Sequence, residues 1–377
     1  MTVTVSIPKS NRSIRYDETK FTAFRSTVRT KGCITLFDRA DPGRTISVMS
    51  NARSDMLAEG DVTITGDACP DIAAGVGCTS GAATNVVAPP LDVQGCLSPT
   101  SVVLDIFVGP VQQDLHLDLL ELRGPGGESL MLLQQRALLA YARVFHDGQF
   151  CWNAATVPQG GFLMIHLPRI TLPKHAYHEL AIRLSGCDAT SAVVDQTHPA
   201  HHLPGPKRLA RPVPYHWRTA NTPDLLSIHR FAVGIRNRRC SVAQRGAMDF
   251  NLVAGRPEDS TDPAAYPAFG QIVTAPCAGK VIIAEDDHPD MPVGARDEKA
   301  PRGNQICIRR SDGLVVVLAH LQNGSLMVDH GAQLKTGQPL ARVGNSGRSS
   351  EPHLHMHLAS SADNMADGHI FHFRGHP

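Results

Sequence analysis

The chain has 377 residues, a length that allows one to three domains. Hydrophobic residues make up 42% of the sequence, which excludes wholesale disorder and supplies enough side chains for a sizeable core. The 36 Lys and Arg nearly balance the 35 Asp and Glu, so charge gives no support for nucleic acid or an anionic membrane as the main partner. The unusual feature is histidine: 19 residues, more than the 12 Phe and 5 Tyr together, suggest a use for imidazole.

The N-terminus shows no targeting signal in the chain as given. Residues 1–24 are polar, without an apolar segment followed by a small-residue cleavage site. No apolar run approaches the roughly 18 residues of a membrane helix, so we expect no membrane span.

The nine cysteines lack a CxxC pair, which disfavours a zinc ribbon or a thioredoxin-like centre. Five of them lie from Cys69 to Cys187, where one or two disulfides would form in an oxidising compartment. Buried free thiols explain the same residues equally well, and both interpretations stay open.

The first 98 residues predict an irregular N-terminal region. Short β-like segments, TVTVS at 2–6 and CITLF at 33–37, stand among polar stretches. Residues 57–90 are rich in small residues, glycine and turn formers, without a helical period.

Residues 99–193 predict a β-rich accessory domain. Strand-like runs such as VVLDIFV at 102–108 and FLMIHL at 162–167 are separated by Gly/Pro turns. The segment 129–141 also fits a helix, because its apolar residues recur at intervals of three and four. Single histidines inside these strands, such as His166, are expected to be satisfied core or surface side chains.

Proline density and missing periodicity predict a semi-extended linker over 194–223.

Residues 224–377 contain short apolar or alternating runs bounded by Asp-Gly, Gly-Asn and Asn-Gly turns, and no helix of convincing length. This pattern is typical of a compact antiparallel β domain, and the fold class we expect is mainly β.

The strongest local motif is GNSGRSSEPHLHMH at 344–357. Side chains alternate faces along a strand, so His353, His355 and His357 would point the same way, about 6.5–7 Å apart. Histidines on one face suit a divided task, in which one binds a metal and another acts as acid or base. The plainer alternative is a coincidental His-rich edge strand.

Two further elements carry candidate site residues. Asp249, in QRGAMDF, follows a glycine turn and begins an apolar strand, where its carboxylate could bind zinc or simply cap the turn. His320, in LAHL, closes an apolar run and alone would be an ordinary strand-end residue.

Together, the order and spacing of these motifs resemble the lysostaphin-type (LytM-like) zinc endopeptidases, which cleave peptide bridges of peptidoglycan. The resemblance covers roughly 225–377 and rests on four segments besides Asp249 and the PHLH motif: 268–281, 304–308, 319–321 and 331–347. It implies an antiparallel β sandwich with a duplicated hybrid motif and a groove over one sheet, preceded here by the smaller β-rich domain. It also implies a partner in the bacterial cell envelope, either peptidoglycan peptides or another envelope ligand, and a periplasmic or secreted location.

The resemblance assigns roles residue by residue. The family's zinc ligands fall on Asp249 and His355, and its catalytic histidines fall on His353 and His320. The implied chemistry is metal-assisted hydrolysis, in which Zn²⁺ activates a water and polarises the scissile carbonyl. His353 would take the proton of the water, and His320 would hydrogen-bond the water or the oxyanion.

The sequence departs from the family at one ligand. The family has a histidine four residues before the Asp, whereas this chain has Arg245, which has no lone pair to give to a metal. Either His229 or His357 completes the set, or the site binds metal weakly, or the domain is catalytically silent. His229 is the preferred third ligand, because the chain resembles a family subgroup with a W…HR segment and a QR-x-A-x-D motif.

Two functions are therefore open. The first is a zinc metalloendopeptidase acting on cell-wall peptidoglycan, favoured by the joint presence of Asp249, His320, His353 and His355. The second is a catalytically silent module of the same fold that binds or regulates envelope partners, favoured by Arg245.

Overall fold

The computed structural model describes the backbone of seven short strands before residue 65, and after that most of the chain from Pro90 to Arg374. The second part comprises residues 90–124, 126–146, 149–152, 156–172, 181–188, 193–199, 203–223, 227–237 and 239–374. The chain divides into two compact units, Met1–Gln94 with Pro99–Leu203, and Gly95–Ser98 with Pro204–Pro377. The domain boundaries proposed from the sequence, at residues 98, 193 and 223, stay predictions.

The described residues before position 65 form seven short strands, two of which overlap the β-like segments 2–6 and 33–37 of the sequence. The described strands are β1 Thr4–Ser6, β2 Ser13–Arg15, β3 Thr19–Phe21, β4 Phe24–Thr30, β5 Cys33–Asp38, β6 Thr45–Met49 and β7 Val62–Ile64. Strands β4, β5 and β6 form an antiparallel sheet. The glycine-rich stretch that follows, 65–89, lies outside the described residues.

The part of the chain from residue 91 to residue 199 is built on two antiparallel sheets. The elements are β8 Leu91–Ser98, β9 Ser101–Val108, β10 Leu115–Arg123, β11 Ser129–Gln134, α1 Gln135–Leu139, β12 Ala142–His146, β13 Gln149–Trp152, β14 Thr156–Val157, β15 Phe162–His166, β16 Ile170–Thr171, β17 Ala181–Asp188 and β18 Val193–Pro199. One sheet has the order β11-β10-β17-β18, and the other has the order β13-β12-β15-β9-β16. The segment 129–141, for which strand and helix were both open, contains β11 and the short helix α1.

The histidine of strand β15 is a core residue, as expected from its apolar surroundings. His166 is buried, and its Nδ1 lies 2.7 Å from Oδ1 of the buried Asp105 on β9. The guanidinium of Arg143 on β12 lies against the other ring nitrogen. Buried polar groups keep hydrogen-bond partners, and these three strands supply them to one another.

The second unit contains fourteen described strands and two short 3₁₀ helices, Ile228–Phe231 and Pro263–Ala265. The strands are β19 Lys207–Leu209, β20 Arg218–Ala220, β21 Gly234–Arg236, β22 Arg239–Ser241, β23 Met248–Asn251, β24 Ile272–Thr274, β25 Gly279–Glu285, β26 Asn304–Arg309, β27 Val315–Leu321, β28 Gln333–Leu334, β29 Pro339–Arg342, β30 Leu354–Ala359, β31 Gly368–His369 and β32 Phe371–Phe373.

A central sheet organises this unit. Its order is β20-β23-β30-β27-β26-β25-β28, with β31 beside β30, and every pair is antiparallel. Alternate residues of its strands, such as Ile306, Leu318 and Met356, are fully buried in one large apolar core. The mainly β fold with antiparallel sheets that the sequence predicted is confirmed. Among the described residues, no helix has the length and apolar character that a membrane span needs.

Part of the segment predicted as a linker forms strands of the second unit. Strand β19 pairs in parallel with β32, and β20 pairs with β23, so that Ala220 lies opposite Asp249. Leu209, Val213 and Trp217 are buried in the core of this unit. The sequence did not indicate these strands, because each is only three residues long and has no alternating apolar pattern. They are held by backbone pairing and by the three buried side chains.

Candidate metal centre and active site

Strand β30 separates the core from the candidate site by simple alternation. Leu354, Met356 and Leu358 enter the apolar core, whereas His355 and His357 point to the opposite face of the central sheet. Both histidines are almost fully buried, at 4% and 1% exposure. The side of the sheet that carries these two residues is called the histidine face below.

Asp249 lies directly opposite His355 because β23 and β30 are neighbours in the sheet. Its Oδ1 is 3.1 Å from Nδ1 of His355, and its Oδ2 is 2.9 Å from Nε2 of His229. The side-chain amide of Asn221, next to β20, donates to the same Oδ2 at 2.7 Å. Burial raises the pKa of this carboxyl, but His229, His353 and the hydrogen bonds outweigh burial and hold the pKa well below its usual value. Asp249 therefore stays ionised.

His229 reaches the site from the 3₁₀ helix Ile228–Phe231. Ser227 caps this helix, since its Oγ accepts the backbone N–H of His229 at 3.2 Å and donates to the carbonyl of Asn221 at 2.9 Å. The ring of His229 is held from both sides, with Nδ1 3.1 Å from Oε1 of Gln244 and Nε2 facing Asp249. The cap and the two ring contacts fix where this imidazole points.

His229, Asp249 and His355 form the one group of potential metal ligands found among the described residues, with ligand atoms that all lie within 4.8 Å of one another. Two imidazoles and one carboxylate match the three-ligand sets of catalytic zinc sites, which keep a fourth position open. Tetrahedral ligand atoms around zinc are separated by about 3.3 Å. The observed separations of 2.9 and 3.1 Å from the Asp249 oxygens are close to that value.

The hydrogen bonds of His229 also fit a cation. In the neutral tautomer that carries its proton on Nδ1, this N–H donates to the side-chain oxygen of Gln244 and Nε2 keeps its lone pair. That lone pair then faces an ionised oxygen of Asp249 at 2.9 Å. Two acceptors at this distance repel each other unless a cation, either a proton or a metal ion, lies between them. The residues present therefore fit a bound metal.

His320 enters the histidine face through a β-bulge. Strand β27 alternates regularly as far as Ala319, which lies opposite His355. The register to β26 then shifts, and His320 takes the left-handed conformation with φ of 62°, which non-glycine residues seldom adopt. Leu321 returns to the apolar core, so the bulge turns His320 towards the other histidines.

His320 and His353 form a pair beside the ligand set. Their ring centroids are 4.9 Å apart, and the ring of His320 is 5.8 Å from that of His355. His320 Nδ1 lies 2.9 Å from the carbonyl oxygen of Ser346. His353 Nδ1 lies 2.7 Å from the carbonyl oxygen of Glu351. A carbonyl only accepts, so both Nδ1 atoms carry protons, and both Nε2 atoms are lone-pair acceptors when the rings are neutral.

The protonation of the buried histidines is restricted by their surroundings. Burial and the neighbouring histidines hold the pKa of His320 well below its usual value. Burial lowers the pKa of His355 to about 4, although Asp249 acts in the opposite direction. The Nε2 of His353, by contrast, lies 3.7 Å from Oδ1 of Asp249. Of the two paired rings, His353 is thus the one with a ring nitrogen within 4 Å of the Asp249 carboxylate.

The GNSG turn holds His320 in place. Ser346 accepts the N–H of Asn304 at 3.0 Å through Oγ and donates to the carbonyl of Leu321 at 2.7 Å. The turn approaches another glycine so closely that a Cβ on Gly347, which has φ of 76°, would lie 2.4 Å from the backbone nitrogen of Gly303. Glycine is needed there for both space and backbone angle.

Arg245 does not take the role that the resemblance gives to this position. Its Nη1 donates to the carbonyl of Gly368 at 2.8 Å, and the side chain is buried. Burial, and next the charge of this guanidinium, lower the pKa of His369.

Sequence reasoning placed Asp249, His229, His320, His353 and His355 in the site, and the structure brings all five side chains together. His357 lies behind His355, with its Nδ1 2.9 Å from Nε2 of that ring. Three partners of the site were missed, namely Asn221, Gln244 and Ser346. Gln244 stands in the QR-x-A-x-D motif and Ser346 in the GNSG turn, both already singled out, whereas Asn221 had no sequence signal for its contact.

Comparison with known proteins finds a family match in one part of the chain. Residues 259–366 match the sequence profile of Peptidase family M23, which confirms the resemblance drawn from the sequence for this part of the chain. The matched segment contains His320, His353 and His355 but begins after His229 and Asp249. No curated protein matches the sequence.

Several solved structures are similar to part of the chain. The catalytic domain of lysostaphin from Staphylococcus simulans is 23% identical, with 33% of this chain and 78% of that chain covered and a TM-score of 0.23. The catalytic domain of a mutant of the prophage-encoded M23 protein EnpA from Enterococcus faecalis is 16% identical (43% and 93% covered, TM-score 0.27). The M23 metalloprotease pseudoalterin, from the deep sea, is 19% identical (44% and 76% covered, TM-score 0.26). The family match supports a hydrolase of the peptidase type.

Proposed function

We propose that this protein is a zinc-dependent metalloendopeptidase that hydrolyses peptide bonds of bacterial cell-wall peptidoglycan, in the periplasm or outside the cell. The observation that carries the proposal is the convergence of His229, Asp249 and His355 within 4.8 Å, with two further histidines beside them. Metal-assisted hydrolysis needs ligands that hold the metal and neighbouring groups that accept a proton from water. The three potential ligands and the two further histidines supply both.

The metal would be held by Nε2 of His229, the carboxylate of Asp249 and Nδ1 of His355. Bound there, zinc would supply Lewis-acid chemistry, which lowers the pKa of water and polarises the scissile carbonyl. Asn221 and Gln244 keep Asp249 and His229 in place through their hydrogen bonds. Arg245 takes no part in binding, so the missing histidine of the family pattern does not leave the set incomplete.

The two remaining histidines would share the handling of the attacking water. Both present Nε2 as an acceptor, because Nδ1 of each is bound to a backbone carbonyl. Asp249 stabilises a protonated His353 from 3.7 Å, so His353 is the general base. His320 stays neutral in its buried position and accepts a hydrogen bond from the water, which orients it. This refines the role of His320, since a neutral ring with its proton on Nδ1 cannot donate to an oxyanion from Nε2.

The test combines metal content with hydrolysis of purified peptidoglycan. We expect near-stoichiometric zinc and release of soluble cell-wall peptides by the parent protein, and loss of both in His355→Ala. The exposed His330, in the same unit, gives a matched control, and His330→Ala should behave as the parent. A parent that holds no zinc but sediments with peptidoglycan would instead support the catalytically silent binding module.

A further inference from the structure

His357 is an unusual residue for its position. It is 1% exposed and lies opposite Val317 of β27, which belongs to a small apolar cluster with Cys307 and Val315. Its Nδ1 lies 2.9 Å from Nε2 of His355, but its Nε2 has no hydrogen-bond partner among the described residues. A buried polar atom without a partner is costly, so an apolar side chain would serve packing better at this position.

The proton of His355 gives a reason for a histidine there. Nδ1 of His355 faces Asp249 and is the atom that would bind the metal. A neutral imidazole carries one proton, so a ring that offers its Nδ1 lone pair must carry the proton on Nε2. This N–H is buried, and its hydrogen-bond partner in the structure is Nδ1 of His357. Without that acceptor, the metal-binding tautomer would bury an unsatisfied donor.

We propose that His357 is a positioning residue for the metal ligand His355: its Nδ1 accepts the Nε2–H of that ring and so selects the tautomer that binds metal through Nδ1. The inference rests on the proposed function, because it concerns a metal held by His229, Asp249 and His355. Because the environment of His357 is otherwise apolar, the same ring that supplies this acceptor leaves its Nε2 without a hydrogen-bond partner among the described residues.

Two substitutions separate an acceptor from a packing residue. His357→Leu keeps a side chain of similar size and removes the acceptor. His357→Asn offers a side-chain oxygen close to the position of Nδ1 but fills less space. If His357 acts through its acceptor nitrogen, His357→Asn should bind Zn²⁺ more tightly than His357→Leu. If only packing matters, His357→Leu should bind Zn²⁺ more tightly.

The measurement is the Kd for Zn²⁺, obtained by competition with a chromogenic chelator, on the full chain of the parent and both variants. Loss of a residue that orients a metal ligand typically weakens binding by about 10- to 100-fold, and we expect this of His357→Leu. His357→Asn should recover most of the affinity. Equal affinity of His357→Leu and the parent, or equal loss in both variants, would overturn the proposal.

A second measurement needs no variant and covers the case in which His357→Leu does not fold. In the zinc-loaded parent labelled with ¹⁵N-histidine, NMR should show His355 protonated at Nε2 and metal-bound at Nδ1. The opposite arrangement refutes the role of His357 while leaving the metal site intact. A parent that binds no zinc at all refutes the proposed function instead, so the two failures are distinguishable.

Discussion

The substitution His229→Ala tests the proposed role of His229 as a metal ligand. Nε2 of His229, on the 3₁₀ helix Ile228–Phe231, lies 2.9 Å from Oδ2 of Asp249. Alanine removes this nitrogen and leaves a set of two, Asp249 and His355. Zinc should then be bound much more weakly, while the sheet that carries the other two residues is untouched.

The size of the effect follows from the number of ligands. Structural zinc sites with four ligands contribute roughly 10–16 kcal/mol of apparent binding free energy, or about 3 kcal/mol for each ligand. We therefore expect the Kd for zinc to rise about 100-fold in His229→Ala. The metal-free fold should lose only about 1 kcal/mol, because Oδ2 of Asp249 keeps the hydrogen bond from Asn221.

Zinc affinity by chelator competition and thermal unfolding of the metal-free protein measure the two quantities separately. His330→Ala removes an exposed imidazole of the same unit and should change neither. Unchanged zinc affinity in His229→Ala would refute the assignment of His229 as a metal ligand. It would favour a site with two ligands, Asp249 and His355. A large loss of metal-free stability would show that His229 serves the fold and not the metal.

Three other predictions concern neighbouring residues. His353→Ala should retain zinc but lose hydrolysis by about 100-fold or more, since the general base is removed; loss of zinc in this variant would contradict the separation of roles. Gln244→Leu removes the acceptor 3.1 Å from Nδ1 of His229 and should weaken zinc binding by about tenfold, as measured by the same competition; an unchanged Kd would show that the amide does not set the tautomer. Burial raises the pKa of the Cys307 thiol to about 12, so iodoacetamide should label Cys307 only after unfolding, and labelling of the native protein, mapped by mass spectrometry, would contradict its burial.

The sequence predicted those parts of the site that depend on local periodicity. His355 and His357 share a face because alternation along β30 is a property of the strand itself, visible in PHLHMH. The contact between Asp249 and His355 depends on β23 lying beside β30, about a hundred residues apart in sequence, and only the family resemblance suggested it. The bulge at His320 could not be predicted, because a left-handed φ at a non-glycine residue leaves no mark in the sequence.

Arg245 shows how a position can exchange one task for another. Gly368, at the start of β31, donates its N–H to the carbonyl of Val242 at 3.0 Å, and its own carbonyl accepts from Arg245 Nη1 at 2.8 Å. Both backbone groups of Gly368 are thus bound by the turn that leads into β23. A histidine side chain is shorter than the arginine side chain that reaches this carbonyl. The arginine therefore ties the strand of Asp249 to the C-terminal segment, whereas a separate helix and its cap hold His229 against the carboxylate of Asp249.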